Sequence, residues 1–323
     1  MSDPPAAIAR QQGRIGRITL NRPRTLNALD AGMIRSVFLA LEAWRDNPAI
    51  HLVVIEAEGD RAFCAGGDVR TMRDWMLAGD FDPVEAFFVD EYALNRAIAR
   101  YPKPYIALID GLCMGGGMGL SMHGSLRVVS EHAKLAMPEC QIGLFTDVGA
   151  SFVLPRLRGA FGTYLGLTGR RVGPGDSCWL GLATHYVPRA SLAGLADALA
   201  AGGLGALSER AETPPPGDLA AIAGPVDAVF GRTSLAAIVA GLETISDAWS
   251  QEALAAIATA SPSALRWTFD ALRAGADRTL EQCQRAELLL TRVATRHPDF
   301  AEGIRALVVD KDRQPRWAPI PVE

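Results

Sequence analysis

Two glycine-rich segments are the first features of this sequence that could carry chemistry. Residues 62–68 form AFCAGGD, and residues 111–119 form GLCMGGGMG. Glycine allows a ligand to approach the backbone closely, and the N–H groups at the start of a helix stabilise developing negative charge. The alternative is that both segments are strand-to-helix turns whose glycines serve only close packing.

Acidic side chains in apolar surroundings are the second such feature. Glu139 and Asp147 lie within the largely apolar residues 136–149, and Glu91 falls on the apolar stripe of a helix predicted over residues 84–100. Carboxylates are costly to bury unless they are paired or functional. Each carboxylate also has an alternative explanation. Glu139 could be a solvent-facing turn residue, and Asp147 could cap a helix over residues 148–157. Glu91 could lie at the edge of the apolar stripe, open to water.

Several other reaction classes lack their signatures. The sequence contains no phosphate-binding G-x-x-x-x-G-K-[ST] and no H-E-x-x-H, and its glycine run fits neither G-x-G-x-x-G nor the G-x-S-x-G of a serine hydrolase. The five cysteines include no C-x-x-C pair, which is typical of reduced thiols and argues against a zinc ribbon. We therefore expect no metal site.

The elements that must position these residues alternate between strands and helices. Apolar runs predict strands over residues 16–20, 51–56, 105–109, 126–129 and 184–187. Amphipathic spacing predicts a helix after Asp30, which is placed to cap it, and Asp68 could cap another helix over residues 69–77. This alternation favours a parallel sheet covered by helices.

The chain changes character near residues 212–217, where ETPPPG predicts a surface linker. Amphipathic periods beyond it predict helices over residues 234–246, 251–259, 263–274, 278–296 and 300–308. We therefore predict an α/β catalytic core over residues 1–210, followed by a linker and a helical C-terminal region over residues 211–323.

Bulk composition sets further limits. Net charge is −4 and no segment gathers a basic stripe, so we expect no nucleic-acid partner. No apolar run reaches the length of a membrane span, and residues 1–14 hold no apolar signal core. Together with the cysteine usage, these features predict a cytoplasmic protein that does not associate with membranes.

Taken together, the segments resemble the crotonase (enoyl-CoA hydratase/isomerase) superfamily, and most closely its 3-hydroxyisobutyryl-CoA hydrolase branch. The resemblance covers about residues 13–318 and implies a crotonase-like α/β fold, a spiral of ββα units. Besides the two glycine-rich segments, the matching stretches are LNRP at 20–23, LNAL at 26–29, KPYIA at 103–107, FTDVG at 145–149, LPRL at 154–157, LTG at 167–169, GLATH at 181–185, DFAEG at 299–303 and DKD at 310–312.

The resemblance also implies roles for individual residues. The N–H groups of Gly67 and Gly116 would form an oxyanion hole, Glu139 would be the catalytic carboxylate, and Asp147 would lie beside it. The residues implied to bind the acyl-CoA substrate are Glu91, at the substrate's hydroxyl end, with Arg24, Leu26, Ala28, Ala65 and Gly115. No separate cofactor is implied, because coenzyme A is part of the substrate, and a homo-oligomer stays open.

One departure from the family favours hydrolysis over hydration. Members that hydrate enoyl-CoA typically carry a second glutamate just after the glycine run, where this chain has Gly119. The implied reaction is hydrolysis of a short hydroxyacyl-CoA, with 3-hydroxyisobutyryl-CoA of valine catabolism as the suggested substrate. An enoyl-CoA hydratase or isomerase and a non-catalytic acyl-CoA-binding scaffold remain alternatives. Thr146 is a second departure, since the hydrolase branch has proline there.

Overall fold

A computed structural model describes residues 5–319 of the chain. Residues 1–4, which belong to the segment predicted to hold no signal core, lie outside the described residues, as do residues 320–323. The strands within the described range are β1 (Ala7–Gln12), β2 (Ile15–Leu20), β3 (Leu52–Ala57), β4 (Ala62–Cys64), β5 (Tyr105–Ile109), β6 (Leu112–Met114), β7 (Leu126–Val129), β8 (Lys134–Ala136) and β9 (His185–Tyr186).

The strands form two sheets. The larger sheet has the order β1-β2-β3-β5-β7-β9, and the smaller one has the order β4-β6-β8. β1 pairs with β2 in antiparallel fashion, whereas every other pairing in the larger sheet is parallel. β5 is buried along its whole length, as expected for a strand covered on both faces of a parallel sheet. The predicted α/β class is confirmed.

Helices account for most of the remaining described chain. In order they are α1 (Ala31–Arg45), α2 (Val69–Leu77), α3 (Asp82–Ala99), α4 (Gly116–Ser121), α5 (Ala150–Val153), α6 (Phe161–Thr168), α7 (Pro174–Leu180), α8 (Arg189–Leu192), α9 (Leu195–Gly202), α10 (Gly205–Arg210), α11 (Ala223–Phe230), α12 (Leu235–Glu243), α13 (Ala248–Thr259), α14 (Pro262–Gly275), α15 (Leu280–Ala294) and α16 (Pro298–Ile304). A π-helical turn, Arg305–Val309, follows α16. Within residues 5–319, no helix has the length and apolar character needed to cross a membrane.

Contacts divide the chain into two compact units, each built from three chain segments. The first unit contains residues 1–67, 90–135 and 172–218, and the second contains residues 68–89, 136–171 and 219–323. This grouping does not follow the boundary between residues 210 and 211, which stays a prediction. Residues 213–217 have no regular structure, and the linker predicted there also stays a prediction.

The first unit places its larger sheet between helices. On one face, Ile15, Val54 and Leu108 pack in a single apolar cluster with Leu195 and Leu199 of α9. Side chains alternate between the two faces of a strand, so the residue after Ile15 faces the other way. That residue is Gly16, where an added Cβ would collide with Trp44 of α1. Burial of α1 therefore depends on a glycine in β2.

The second unit is mainly helical and centres on α6, which is almost entirely buried. The ring of Tyr164 lies 4.9 Å from that of Phe230 on α11 and 6.3 Å from that of Trp249 on α13. Gly166 lets α14 approach, because a Cβ there would lie 2.9 Å from Leu272. A helix that is apolar on all sides is expected to be buried, and here other helices cover α6 as the core of the unit.

Some elements differ from those predicted. The sequence analysis missed β1, β4, β6 and β8, and the strand predicted over residues 184–187 is shortened to β9. β1 is a sheet edge with four consecutive exposed residues, so it lacks the apolar alternation of a half-buried strand. The predicted caps at Asp30 and Asp68 are present, since their side chains accept hydrogen bonds from the N–H groups of Met33 and Thr71.

Candidate functional site

The two glycine-rich segments are neighbouring strand-to-loop turns in the first unit. β4 and β6 pair in parallel, with Cys64 opposite Cys113. Gly66 has φ +108° and Gly115 has φ +50°, both in the left-handed region that favours glycine. A Cβ added at Gly66 would lie 3.5 Å from the carbonyl oxygen of Met114. The turns therefore pack directly against each other.

This packing brings the backbone of Gly67 next to that of Gly116. A Cβ added at Gly116 would lie 3.5 Å from the amide nitrogen of Gly67 and 2.9 Å from Cδ1 of Leu29, and it would collide with Oε1 of Glu91. Gly116 is the first residue of α4, so its N–H has no acceptor within the helix. Main-chain atoms and one carboxylate thus meet at a point with no room for a side chain.

Glu91 is buried on α3, with 3 % of its surface exposed, so the alternative of an edge open to water is wrong. Its Oε1 lies beside Gly116, at the point where the backbones of Gly67 and Gly116 meet. The predicted role at the hydroxyl end of a substrate stays a prediction.

Some of the remaining predicted substrate-binding residues lie along one edge in the first unit. The N–H of Ala65 donates to the carbonyl of Leu26 (3.0 Å), and the N–H of Leu29 donates to the carbonyl of Gly66 (2.8 Å). The segment that contains Arg24 and Ala28 therefore runs beside the first glycine turn. Arg24 itself is exposed.

Asn27, which the sequence analysis did not single out, holds this edge in shape. Its side chain donates to the carbonyl oxygens of Glu58 and Ala62, each at 3.0 Å, and accepts from the N–H of Arg22 at 2.8 Å. The side chain is buried, and its backbone is left-handed with φ +55°. Asparagine tolerates this conformation better than most residues, which is the signal that could have identified it.

In the second unit, Glu139 is a buried carboxyl group. It begins a short 3₁₀ helix, Glu139–Ile142, and only 5 % of its surface is exposed, so the alternative of a solvent-facing turn is wrong. Among the described residues its Oε2 has no hydrogen-bond partner. Burial, and then the negative charge of Asp147, raise the pKa of Glu139 well above its ordinary value of 4.5.

Asp147 is also buried, but it does not cap the following helix as one alternative proposed. The N-cap of α5 is Gly149, which makes no side-chain capping bond, so the helix begins at Ala150 rather than at residue 148. A 3₁₀ helix, Leu154–Arg156, follows α5 directly and covers most of the rest of the predicted range. The carbonyl of Asp147 accepts the N–H of Ala150 at 2.8 Å. Val148 between them has φ +52°, a rare conformation for a β-branched residue.

Thr146, at the position where the resemblance implies proline, uses the N–H that proline lacks. That N–H donates to Oγ1 of Thr268 on α14 at 3.0 Å, and the Thr146 hydroxyl donates to the carbonyl of Gly166 at 3.2 Å. Hydrogen bonds to α14 and α6 therefore satisfy both the N–H and the hydroxyl that threonine brings to this position.

Glu287 on α15 is a further buried acidic residue that the sequence analysis missed. Its carboxylate accepts hydrogen bonds from the N–H of Gly149 (2.7 Å), the N–H of Ser151 (3.1 Å) and the hydroxyl of Ser151 (2.5 Å). The available signal was its place on the buried stripe of α15, which includes Cys283 and Thr291.

The sulfhydryl groups do not add a second reactive centre here. All five cysteines are free. Burial raises the pKa of Cys113 and of Cys140 to about 12, so both are protonated at neutral pH. Among residues 5–319, no three His, Cys, Asp or Glu side chains are grouped as metal ligands would be.

Comparisons with known proteins identify the family of the chain. A model of the enoyl-CoA hydratase/isomerase family matches residues 15–323. The protein named "3-hydroxyisobutyryl-CoA hydrolase, mitochondrial" from Xenopus tropicalis is 40% identical over 95% of this chain and 83% of its own length. Its counterpart of the same name from Homo sapiens is 38% identical over 97% of this chain and 84% of its own length.

Solved structures give the same fold. A crystal structure of an enoyl-CoA hydratase from Rhodobacter sphaeroides has a TM-score of 0.92 and 42% identity, and covers 97% of this chain and 92% of its own. A carnitinyl-CoA dehydratase from Mycobacterium thermoresistibile has a TM-score of 0.93 and 35% identity, with 98% of each chain covered. The predicted crotonase-like fold is confirmed, and the chain belongs to the enoyl-CoA hydratase/isomerase family.

Proposed function

We propose that this protein hydrolyses the thioester of a short hydroxyacyl-CoA, with 3-hydroxyisobutyryl-CoA as the substrate. The observation that carries the proposal is the buried Glu139 carboxyl, which has an oxygen without a hydrogen-bond partner among the described residues and a raised pKa. Relatives that share 38% to 40% of their residues over nearly the whole chain carry the hydrolase name, which supports this reaction.

Each proposed role follows from the chemistry of a thioester. The N–H groups of Gly67 and Gly116 would donate to the carbonyl oxygen, and these bonds strengthen as charge moves onto oxygen in the transition state. The backbone of Arg24, Leu26, Ala28, Ala65 and Gly115 would contact coenzyme A, and Glu91 would contact the acyl hydroxyl. No separate cofactor takes part in this scheme, because the acyl-CoA supplies the leaving group.

Two routes share the Glu139 carboxylate. In one, a carboxylate oxygen bonds to the acyl carbon, the C–S bond breaks, coenzyme A leaves as thiolate, and water then cleaves the mixed anhydride. In the other, Glu139 takes a proton from water as the water oxygen bonds to the acyl carbon, the C–S bond then breaks, and coenzyme A leaves as thiolate, which can take up the proton held by Glu139. A single turnover in ¹⁸O water is the test, and label in the Glu139 side chain supports the first route.

A second candidate reaction is hydration or isomerisation of an enoyl-CoA, which the names of the two structural neighbours favour. Against it stands Gly119, which lies buried in α4 and offers no carboxyl to hold or deprotonate water. Thiol release from 3-hydroxyisobutyryl-CoA, compared with the absorbance change on crotonyl-CoA, distinguishes the two. Thiol release without an absorbance change supports hydrolysis, and the reverse result overturns it.

The decisive variant is Glu139→Gln. We expect kcat for thiol release to fall by about 10²–10⁴-fold, the usual contribution of a positioned acid–base group, while coenzyme A binding is retained. Glu209→Gln, an exposed glutamate on α10, is the matched control and should keep full activity. A Glu139→Gln variant with undiminished turnover would contradict the proposal. A wild type that binds acyl-CoA but releases no thiol would indicate a non-catalytic scaffold.

A further inference from the structure

Glu287 joins α15 to the loop that carries Asp147. Glu287 follows Asp147 by 140 residues in the sequence, and only 1 % of its surface is exposed. Both of its oxygens are used, because Oε2 accepts from Gly149 and Oε1 accepts from the N–H and hydroxyl of Ser151. A buried carboxylate needs such donors, since burial otherwise disfavours its charge.

The loop that Glu287 holds has an unfavourable backbone conformation. Val148 has φ +52°, and the next residue, Gly149, has φ +82°. A β-branched residue rarely adopts left-handed backbone angles, and such strain persists only where surrounding structure enforces it. The two residues that donate to Glu287, Gly149 and Ser151, lie one and three residues after Val148, so these bonds hold the loop on the side that follows the strained residue.

We propose that Glu287 is a positioning residue that keeps the carboxyl of Asp147 beside Glu139. This inference rests on the proposed function, since it assigns a role in the same reaction. Glu287 acts through the loop: its three hydrogen bonds fix Gly149 and Ser151, those residues keep Val148 left-handed, and the direction of the Asp147 side chain follows.

The consequence of this arrangement is electrostatic. Asp147 raises the pKa of Glu139, so an Asp147 side chain that moves away lowers it. One other titratable group near this cluster is Glu287 itself, whose pKa is raised by burial and lowered by its bonds from Ser151 and Gly149, with a net upward shift. The others are Cys140 next to Glu139 and Cys283 near Glu287, with Arg156 and Arg278 acting on Cys283. Burial raises the pKa of both thiols, so they carry no charge at neutral pH and do not produce this effect.

The test is Glu287→Gln. Glutamine keeps the size of the side chain, but its amide nitrogen cannot accept a hydrogen bond, so one loop N–H loses its acceptor. Thr291→Val is the matched control, because Thr291 lies one turn later on the same buried stripe of α15 and its hydroxyl donates only within that helix, to Leu288.

The first readout does not depend on activity. The carboxyl carbon of Glu139 is titrated by carbon-13 NMR, with its resonance assigned by its loss in Glu139→Gln. We expect the midpoint to fall in Glu287→Gln and to stay at the wild-type value in Thr291→Val. If Glu287→Gln does not fold, Ser151→Ala removes one of the three hydrogen bonds, and the same downward shift, smaller in size, is expected.

The second readout is kinetic. With 3-hydroxyisobutyryl-CoA, Glu287→Gln should lower kcat by about 100-fold, as a small misplacement of a reacting group does, while KM stays within about twofold. A Glu139 midpoint that is unchanged in both Glu287→Gln and Ser151→Ala overturns the inference. A wild type that releases no thiol overturns the proposed function instead, and the titration still decides the role of Glu287.

Discussion

At the scale of single residues, the central feature is a carboxyl group held away from water beside another one. Burial raises the pKa of Glu139 above 4.5, and the negative charge of the neighbouring Asp147 raises it further. The folded chain therefore binds a proton more tightly at this position than the unfolded chain does. Stability linked to this group is fully present below the unfolded pKa and is lost as pH rises through the folded pKa.

This sign gives a prediction for stability. The free energy of unfolding of the wild type should fall as pH rises from about 4.5, whereas Glu139→Gln should fall less over the same range, because its amide does not titrate. Urea denaturation at a series of pH values measures both curves. Parallel curves for the two proteins would show that Glu139 titrates normally in the folded state.

The same burial gives a prediction for activity. Glu139 acts as a base or nucleophile only when deprotonated. We therefore expect the acid limb of the kcat/KM profile to lie above the ordinary glutamate value of 4.5, and Asp147→Asn to move that limb to lower pH. A limb at the same pH in both proteins would remove Asp147 as the cause.

The proposed oxyanion donors are main-chain groups, so only an added side chain can test them. Gly116→Ala should collide with Oε1 of Glu91 and press on Leu29, which displaces the N–H of residue 116. We expect turnover to fall by about 10²–10³-fold, the usual effect of losing one such donor. Gly205→Ala in α10 meets no atom within 4 Å and should retain wild-type turnover in the same thiol-release assay.

Single residues also show where sequence reasoning reaches its limit. Asp30 and Asp68 were recognisable as caps because a cap depends on residues three positions away. Asp147 was open to the same interpretation, and it fails because Val148 and Gly149 are left-handed, a conformation imposed by distant groups. Glu287 could not be assigned a role at all, since its partners are far away along the chain.

At the scale of elements, α14 joins the two segments that carry the buried carboxyl groups. Oγ1 of Thr268 accepts the N–H of Thr146 and lies 3.2 Å from Sγ of Cys140, next to Glu139. One hydroxyl thus contacts both the 3₁₀ helix and the loop. The long amphipathic helices and most central strands were predictable from periodicity, because their burial pattern repeats over many residues.

Thr268→Val should leave the buried N–H of Thr146 without its acceptor. We expect the free energy of unfolding to fall by about 1–3 kcal/mol, the usual penalty for an unsatisfied buried group. Equilibrium urea denaturation measures the change. Thr244→Val, at an exposed position, should stay within about 0.5 kcal/mol of wild type, and an equal loss in both variants would remove the special role of Thr268.

The short strands β4, β6 and β8 were not predictable in the same way. Each has only three residues, too few for a period to be recognised, and β4 and β6 lie within the glycine-rich segments. Their pairing nevertheless decides which two turns become neighbours. The sequence could thus identify the turns, whereas their contact is a property of the sheet.

At the scale of the whole molecule, the C-terminal segment is held by buried groups of the second unit. Asp299 is fully buried and accepts the hydroxyl of Ser261 and the N–H of Ala318. The indole N–H of Trp317 donates to the carbonyl of Thr259. The sequence of this segment resembles the family, but the resemblance did not indicate that the buried carboxylate of Asp299 holds the segment in place.

Removing residues 310–323 should therefore destabilise the second unit. The shortened chain loses the Ala318 and Trp317 hydrogen bonds, and Asp299 keeps fewer donors in a buried place. We expect a lower urea midpoint. A chain that ends at Pro319 keeps both bonds and is the control, and equal midpoints for the two shortened chains would contradict this account.

The interleaved make-up of the units has a consequence for synthesis on the ribosome. Every segment of the first unit has been translated by residue 218, but the second unit still lacks residues 219–323 at that moment. Tyr164 on α6 emerges before Phe230 and Trp249, the aromatic rings that later cover it. The nascent chain therefore carries an uncovered apolar helix for part of its translation, and chaperones that bind such surfaces would meet it there.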